Sequence, residues 1–519
     1  MHHDTKPEFN KWRAFFWPVH RWELKKFLPM LGMFFLIALN YNLLRTFKDS
    51  MIVTAPNSGA EAIPFIKVWA ILPCAILLTF IFTRLANRLS REKVFYVMMF
   101  IFVAFFFLFT FVLYPLRDVL HPHQTADQLQ AWLPSGFKGL IAIFRNWTFT
   151  LFYTMSELWS TAIMSVLFWG FANEVTPVQE AKRYYGLLMI GANVASILAG
   201  QISYYLSAFS YIPHVPYGTT KWEQSILFMT CIILTSSILT VALFRWLNTH
   251  VIFSQNQPSL SVEKTEKIKM SMRANFSYLT KSKYLICIAL IVLTYNIAIN
   301  LVEVVWKNQI NALYPDPSDF QAYMGHVTTM IGIVATFAAV FVTGNIIRCF
   351  SWTTSAMIPV AMMLLTGIGF FTFVLFQDSS LISPLAAMAG FSTPMAFGLM
   401  LGSTQNVFAR ACKYTFFDAT KEIAFIPLSN ESKLKGKAAI DGVASRLGKS
   451  GGSVIHQSLL LFFSTVSAST PYVAAIFIGV LLIWLLAVVS LGKKFDALTS
   501  STKNLKDIEK EPTLVEGQV

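Results

Sequence analysis

Residues 284–308 read YLICIALIVLTYNIAINLVEVVWKN. An apolar run of about 20 residues is enough to cross the hydrocarbon core of a bilayer as a helix, so this stretch is a membrane span. Asn296, Asn300, Glu303 and Lys307 interrupt it at steps of four, three and four, which puts them on one helix face. A charge near the midplane costs about 2.5–3.5 kcal/mol on the insertion scale and has to face a partner or a wet cavity. The segment therefore predicts an all-α membrane bundle with a polar interior.

Similar runs recur on both sides of it. They fall at 27–48, 63–84, 94–115, 139–171, 184–208 and 224–247, then at 324–347, 352–376, 381–408, 438–466 and 470–492, which makes twelve spans with 284–308. The fourth is too long for one straight span, and the eleventh is interrupted by Arg446, Lys449 and three glycines. Composition agrees: 55% of the 519 residues are hydrophobic and 13% are charged, against ~25% charged in soluble domains. Aromatic residues reach 15%, which suits lipid contact and interfacial belts. An ordinary cytosolic enzyme is excluded, and a nucleic-acid binder this apolar would be unusual.

The net charge of +14 is mostly a record of topology. Thirty of the 41 lysines and arginines lie before the first span, after the last, or in alternate connections, whereas the opposite connections carry only Arg117, Lys138 and Lys221. That asymmetry places both termini in the cytoplasm. Residues 1–26 read as a cytoplasmic interfacial segment rather than a cleaved leader. The spans form an N-terminal half at 27–247 and a C-terminal half at 284–492, joined by a charged linker at 248–283. The polar tail at 493–519 is expected to be disordered. Six spans, a linker and six spans point to a 6+6 transporter resembling the major facilitator fold.

Eight basic residues remain inside the spans: Arg45, Lys48, Lys67, Arg145, Arg245, Lys307, Arg446 and Lys449. Arg245 is placed to snorkel from its helix end, and the same reading stays open for Arg45, Lys48, Lys67 and Lys307. Lys449 lies roughly twelve positions, or about 17 Å, into its span, too deep to snorkel. Arg446, Lys449 and Ser453 form a second stripe, and Asn146, Thr150, Tyr153, Glu157 and Thr161 a third. One explanation is a set of polar seams between helices; a water-filled cavity with both signs of charge covers all the stripes at once. Basic residues outnumber acids there, so an anion is the natural guest, and Lys and Arg bond phosphate or carboxylate strongly. Tyr41, Tyr153 and Tyr295 offer rings for stacking on a flat ligand.

The segment from Gly442 to Gly448-Lys449-Ser450 is close to a phosphate-binding loop, but five residues separate its glycines instead of four, and no strand precedes it. It carries no implication of ATP hydrolysis, although its small residues and Lys449 suit phosphate. Five scattered cysteines form neither a disulfide framework nor a metal knuckle. With no nucleophile–base cluster, enzymatic chemistry, metal and cofactor are not expected.

The run from Lys413-Tyr-Thr-Phe-Phe-Asp418 through Lys421-Glu422 to Pro427-Leu, with Lys435-Gly-Lys437 and Leu447-Gly-Lys449-Ser-Gly-Gly452, resembles the ATP/ADP translocases, the nucleotide transporters of plastids and obligate intracellular bacteria. Asn40-Tyr41-Asn42 with Arg45 and Lys48-Asp49 extends the likeness. So do Ile63-Pro-Phe-Ile-Lys67-Val-Trp69, Ser156-Glu157-Leu-Trp159 and Ile299-Asn-Leu-Val-Glu303-Val-Val-Trp306-Lys307. The likeness runs over about 25–490. It implies exchange of external ATP for internal ADP by alternating access without hydrolysis, and its four transport-critical charges fall on Lys67, Glu157, Glu303 and Lys449.

With the charge arguments, the expected phosphate ligands are Lys67, Lys449, Arg446, Arg45 and Lys48. Glu157, Glu303, Asn300, Asn42 and Tyr153 would bind substrate or balance charge. The expected partners are ATP, ADP and the lipid bilayer, with no nucleic acid, for a monomer in a bacterial inner membrane. Two alternatives stay open: a proton-coupled importer of several nucleotides, and a membrane enzyme acting on a lipid or nucleotide-activated substrate.

Overall fold

A computed structural model describes residues 10, 13, 17–252, 282–342, 346, 349–380, 382–428, 436, 437, 440 and 444–508. Most of the linker and the last eleven residues lie outside that set. The described residues form helices and no strand. In chain order the main ones are α1 (Leu24–Val53), α2 (Ala62–Arg88), α3 (Arg91–Leu113), α4 (His123–Trp132), α5 (Lys138–Arg145), α6 (Trp147–Val175), α7 (Val178–Ala208) and α8 (Lys221–Leu247). They continue as α9 (Lys283–Leu313), α10 (Pro317–Val342), α11 (Trp352–Leu375), α12 (Ile382–Met388), α13 (Pro394–Cys412), α14 (Ser445–Phe463) and α15 (Val466–Ile508).

Ten helices among the described residues are long and apolar enough to cross a membrane. The two remaining expected spans are not among those ten. The tenth splits into α12 and α13 around Gly390, whose φ of +84° is a left-handed conformation that suits glycine. The eleventh is described only in part, as α14 over Ser445–Phe463, which carries the charges of Arg446 and Lys449; residues 438, 439 and 441–443 lie outside the described set. The over-long fourth run breaks at Asn146, between α5 and α6, where ψ is +47°. The Asn146 side-chain amide donates to the Ala142 and Pro56 carbonyls, both at 3.2 Å, satisfying backbone oxygens at the break. Beyond residue 493, where composition predicts disorder, α15 stays helical to Ile508.

The chain divides into two compact units. The first holds Met1–Thr265, Val304–Thr336 and Leu460–Ala468; the second holds Glu266–Glu303, Phe337–Leu459 and Ser469–Val519. In the first unit α1 is the central helix, packed on α6, α7 and α8. It is buried nearly all round from Ile37 to Val53, so its polar residues must find partners inside the protein. Asn40 accepts from the Ser236 hydroxyl at 2.5 Å and donates to Ser237 at 3.2 Å. Thr46 and Ser203 share a hydrogen bond at 3.1 Å. Gln321 of α10 donates to Thr46 at 2.9 Å and accepts from Ser50 at 2.6 Å. Helices α7 and α10 meet at glycines: a Cβ on Gly200 would stand 2.5 Å from the Gly325 carbonyl oxygen. Small residues let membrane helices approach this closely.

In the second unit α11 packs against α13, and Tyr295 of α9 is enclosed by Phe417 and Trp484, with ring centroids 4.5 and 5.7 Å away. Gly448 and Gly452, one turn apart on α14, face α9. A Cβ at either would stand within 3 Å of the Asn296 or Asn300 Cβ. Gly448 of the loop-like motif thus serves helix contact with the polar face of α9, as Gly452 does one turn later; Gly442 lies outside the described residues.

Candidate functional site

Two clusters of membrane charge emerge, one in each unit. The first is built on α1, whose register puts Arg45, Lys48 and Asp49 within a little over one turn. Lys48 is buried and lies over the Tyr153 ring, its Nζ 3.7 Å from the centroid. It also reaches Glu157 of α6 at 3.3 Å and Asp49 at 3.2 Å. Asp49 in turn binds the Lys307 ammonium of α9 at 2.8 Å, and both of those side chains are only 1% exposed. The outcome is a chain of alternating charge, Glu157–Lys48–Asp49–Lys307, electroneutral as a set. Its acidic end is the open one: Glu157 is 34% exposed. Lys307 does not snorkel; it is an interior ion-pair partner.

Arg45 stands one turn before Lys48. It is buried and has no hydrogen-bond or ion-pair partner among the described residues. None of its guanidinium nitrogens is sealed from the surface, so the fork stays accessible to an incoming anion. Asn42, also buried, donates its amide to the Ala38 carbonyl at 2.8 Å. Lys67 lies half-buried in a π-helical turn, Ile66–Ile71; such turns often mark functional positions. A second π turn, Ser160–Phe168, follows Glu157.

In the second unit Glu303 accepts from the Arg410 guanidinium at 3.1 Å, with side chains 12% and 13% exposed. Arg410 also donates from Nε to the Asn406 amide oxygen at 2.8 Å. Asn300 donates to the Asn296 carbonyl at 2.8 Å. Arg446 and Lys449 lie on the exposed side of α14. Helix α14 is described from Ser445, and Gly436, Lys437, Ile440 and Ala444 before it are also helical; residues 438, 439 and 441–443 lie outside the described set.

The aromatic expectations sort differently. Tyr295 is sealed in the core, and the face of Tyr153 is occupied by Lys48, so of the three only Tyr41 is partly open. Arg145, expected inside the fourth span, ends α5 and pairs with Asp127 of α4 at 2.6 Å. Sequence reading missed Asp49 and Arg410 as partners. Asp49 stood in a quoted motif without a role, and Arg410 was counted only as a cytoplasmic loop charge.

The model of the TLC ATP/ADP transporter family matches residues 2–495. ADP,ATP carrier protein 1 of Chlamydia muridarum is 44% identical over 503 residues, covering 96% of this chain and 94% of that protein. The carrier protein 1 of Chlamydia pneumoniae is 45% identical over 496 residues, covering 95% of each. The chloroplastic ADP,ATP carrier protein 2 of Arabidopsis thaliana is 40% identical, covering 94% of this chain and 77% of that one. Among solved structures, a bacterial homologue of the iron transporter ferroportin in an inward-facing state superposes with a TM-score of 0.56 at 13% identity, covering 91% of this chain and all of the other. A D-xylose–proton symporter gives 0.51 at 13% identity, covering 91% and 97%. Those two likenesses show the fold, that of major-facilitator-like transporters, and nothing of the cargo. The family match covers nearly the whole chain, and this protein belongs to the TLC ATP/ADP transporter family.

Proposed function

We propose that this chain exchanges external ATP for internal ADP across a bacterial cell membrane, by alternating access and without hydrolysis, with both termini cytoplasmic. Family membership supports the exchange of adenine nucleotides, and the thirty-to-three distribution of basic residues supports the orientation. The observation that carries the substrate reading is Arg45: a largely buried residue whose accessible guanidinium has no partner among the described residues, one turn from Lys48. Its planar fork matches phosphate oxygens. Arg45, Lys48, Lys67, Arg446 and Lys449 bind phosphates. Glu157, Glu303, Asn42, Asn300 and Tyr153 balance the cations in the empty carrier or meet the nucleoside.

The test is uptake of labelled ATP into liposomes holding the purified protein, with and without internal ADP. Uptake that requires internal ADP is expected; equal uptake into empty vesicles would defeat exchange and favour a proton-driven importer. Arg45→Gln is expected to weaken ATP binding about 10- to 100-fold, the equivalent of losing one hydrogen-bonded charge. Lys449→Gln is expected to abolish binding while the protein stays folded. Undiminished ATP binding in both variants would move the phosphate site elsewhere.

A further inference from the structure

Asp49 is the one charge of the α1 cluster that an anionic substrate cannot use directly. It is nonetheless the best buried of the acids, holding Lys48 at 3.2 Å and Lys307 at 2.8 Å. Lys307 sits on the last two turns of α9, and Asp49 on the last two turns of α1. One residue further along α1, Ser50 donates to Gln321 near the start of α10, and Thr46 takes the same amide; Thr46, Ser50 and Gln321 are all fully buried. The ends of α1, α9 and α10 are thus fastened by one ionic and two neutral contacts, at the end of α1 remote from the N-terminal segment. Only the ionic contact is connected to a group open to solvent, through Lys48 and Glu157.

We propose that Asp49 is a positioning residue that makes exchange obligatory. While the site is empty, its carboxylate holds Lys48 and Lys307 together and keeps the ends of α1 and α9 fastened. Parting Asp49 from both lysines would break two ionic contacts in a place water does not reach, so the empty carrier seldom changes state. A nucleotide phosphate that takes Lys48 removes one of the two ionic bonds, and the remaining Asp49–Lys307 contact is easier to open. Phosphate and Asp49 compete for the same ammonium, and that competition ties opening to occupancy. The inference rests on Lys48 as a phosphate ligand, as proposed above.

The test uses the full chain in liposomes. Asp49→Asn is expected to raise ATP uptake into empty vesicles at least about tenfold over the native protein and to tighten ATP binding by a similar factor, since the competing state is depopulated. Asp49→Glu is expected to restore dependence on internal ADP. Asp49→Asn with Lys307→Met, which removes both charges of the pair, serves if the single variant does not fold; the same leak is expected. A folded Asp49→Asn or double variant that remains strictly dependent on internal ADP, with native ATP affinity, overturns the proposal. Lys48→Gln separates the two readings. If it binds ATP as the native protein does, the phosphate role of Lys48 fails. If it loses ATP while the Asp49 variants stay coupled, only the coupling fails.

Discussion

Replacing Arg410 tests whether Glu303 acts through its ion pair or in its own right. At 3.1 Å two unit charges attract by about 5 kcal/mol at an effective dielectric constant of 20, most of which repays the loss of hydration. Removing one partner of a buried pair costs about 3–5 kcal/mol. With 12% and 13% of the side chains still exposed, the lower end applies, and Arg410→Met is expected to destabilise by about 3 kcal/mol. The loss includes the 2.8 Å bond from Nε to Asn406. Glu303→Gln should cost about 2 kcal/mol, because the orphaned guanidinium keeps Asn406 as an acceptor. The double variant replaces the pair with neutral groups and is expected within about 1 kcal/mol of either single variant, a coupling energy near 2 kcal/mol. Equilibrium unfolding in mixed micelles measures all four corners, and ATP–ADP exchange is read on the same preparations. If Glu303 takes part in transport, the double variant is no less stable than Arg410→Met but does not regain exchange. Costs of the single changes that simply add would refute the pairing argument, and a double variant that recovers exchange would reduce Glu303 to a structural role.

Gly200→Ala places a Cβ 2.3 Å from Thr329 Oγ1 and 2.5 Å from the Gly325 carbonyl. Overpacking of this kind costs about 1–3 kcal/mol, to be seen as a lower unfolding midpoint, while Gly170→Ala, with open space around its Cβ, should not be lowered by overpacking. His121, in the connection between α3 and α4, bonds the Thr148 hydroxyl at 2.6 Å through Nε2. Burial, helped by neighbouring His123 and Arg117, lowers its pKa to about 4. The unfolded chain then binds the extra proton between pH 6.5 and 4, so this contribution to stability is present above pH 6.5 and lost as pH falls toward 4. Thermal midpoints across that range should fall less steeply in His121→Gln than in the native protein; identical slopes would mean that other groups set the acid sensitivity.

The bundle was legible because its signal is local. A span of the bilayer, a polar stripe at helical steps and a biased distribution of Lys and Arg are each written in one stretch of chain. The exceptions follow from competing local chemistry. Gly390 takes a left-handed backbone inside an apolar run, and Asn146 bonds two carbonyls at a break, and neither disturbs mean hydropathy. The glycines beside Lys449 illustrate a different limit. Gly448 and Gly452 are one turn apart, and what they serve is visible only in the residues they face, Asn296 and Asn300.

Pairing was the illegible part, for a reason that the two charge clusters make plain. Periodicity names the residues that share a face of one helix, so it found Lys48 on α1, Glu157 on α6, and Glu303 and Lys307 together on α9. It could not say that Glu303 and Lys307, four residues apart on that helix, are paired differently: Glu303 with Arg410 of α13 and Lys307 with Asp49 of α1. A Glu and a Lys at that spacing would pair with each other on an isolated helix. Here each has a partner on another helix, at 3.1 and 2.8 Å, and those contacts are buried where a surface i, i+4 pair is not. The stripe on α9 is therefore not one polar face serving one purpose. It is divided between two ion pairs, and the change of partner between 303 and 307 falls where the chain passes from one compact unit to the other.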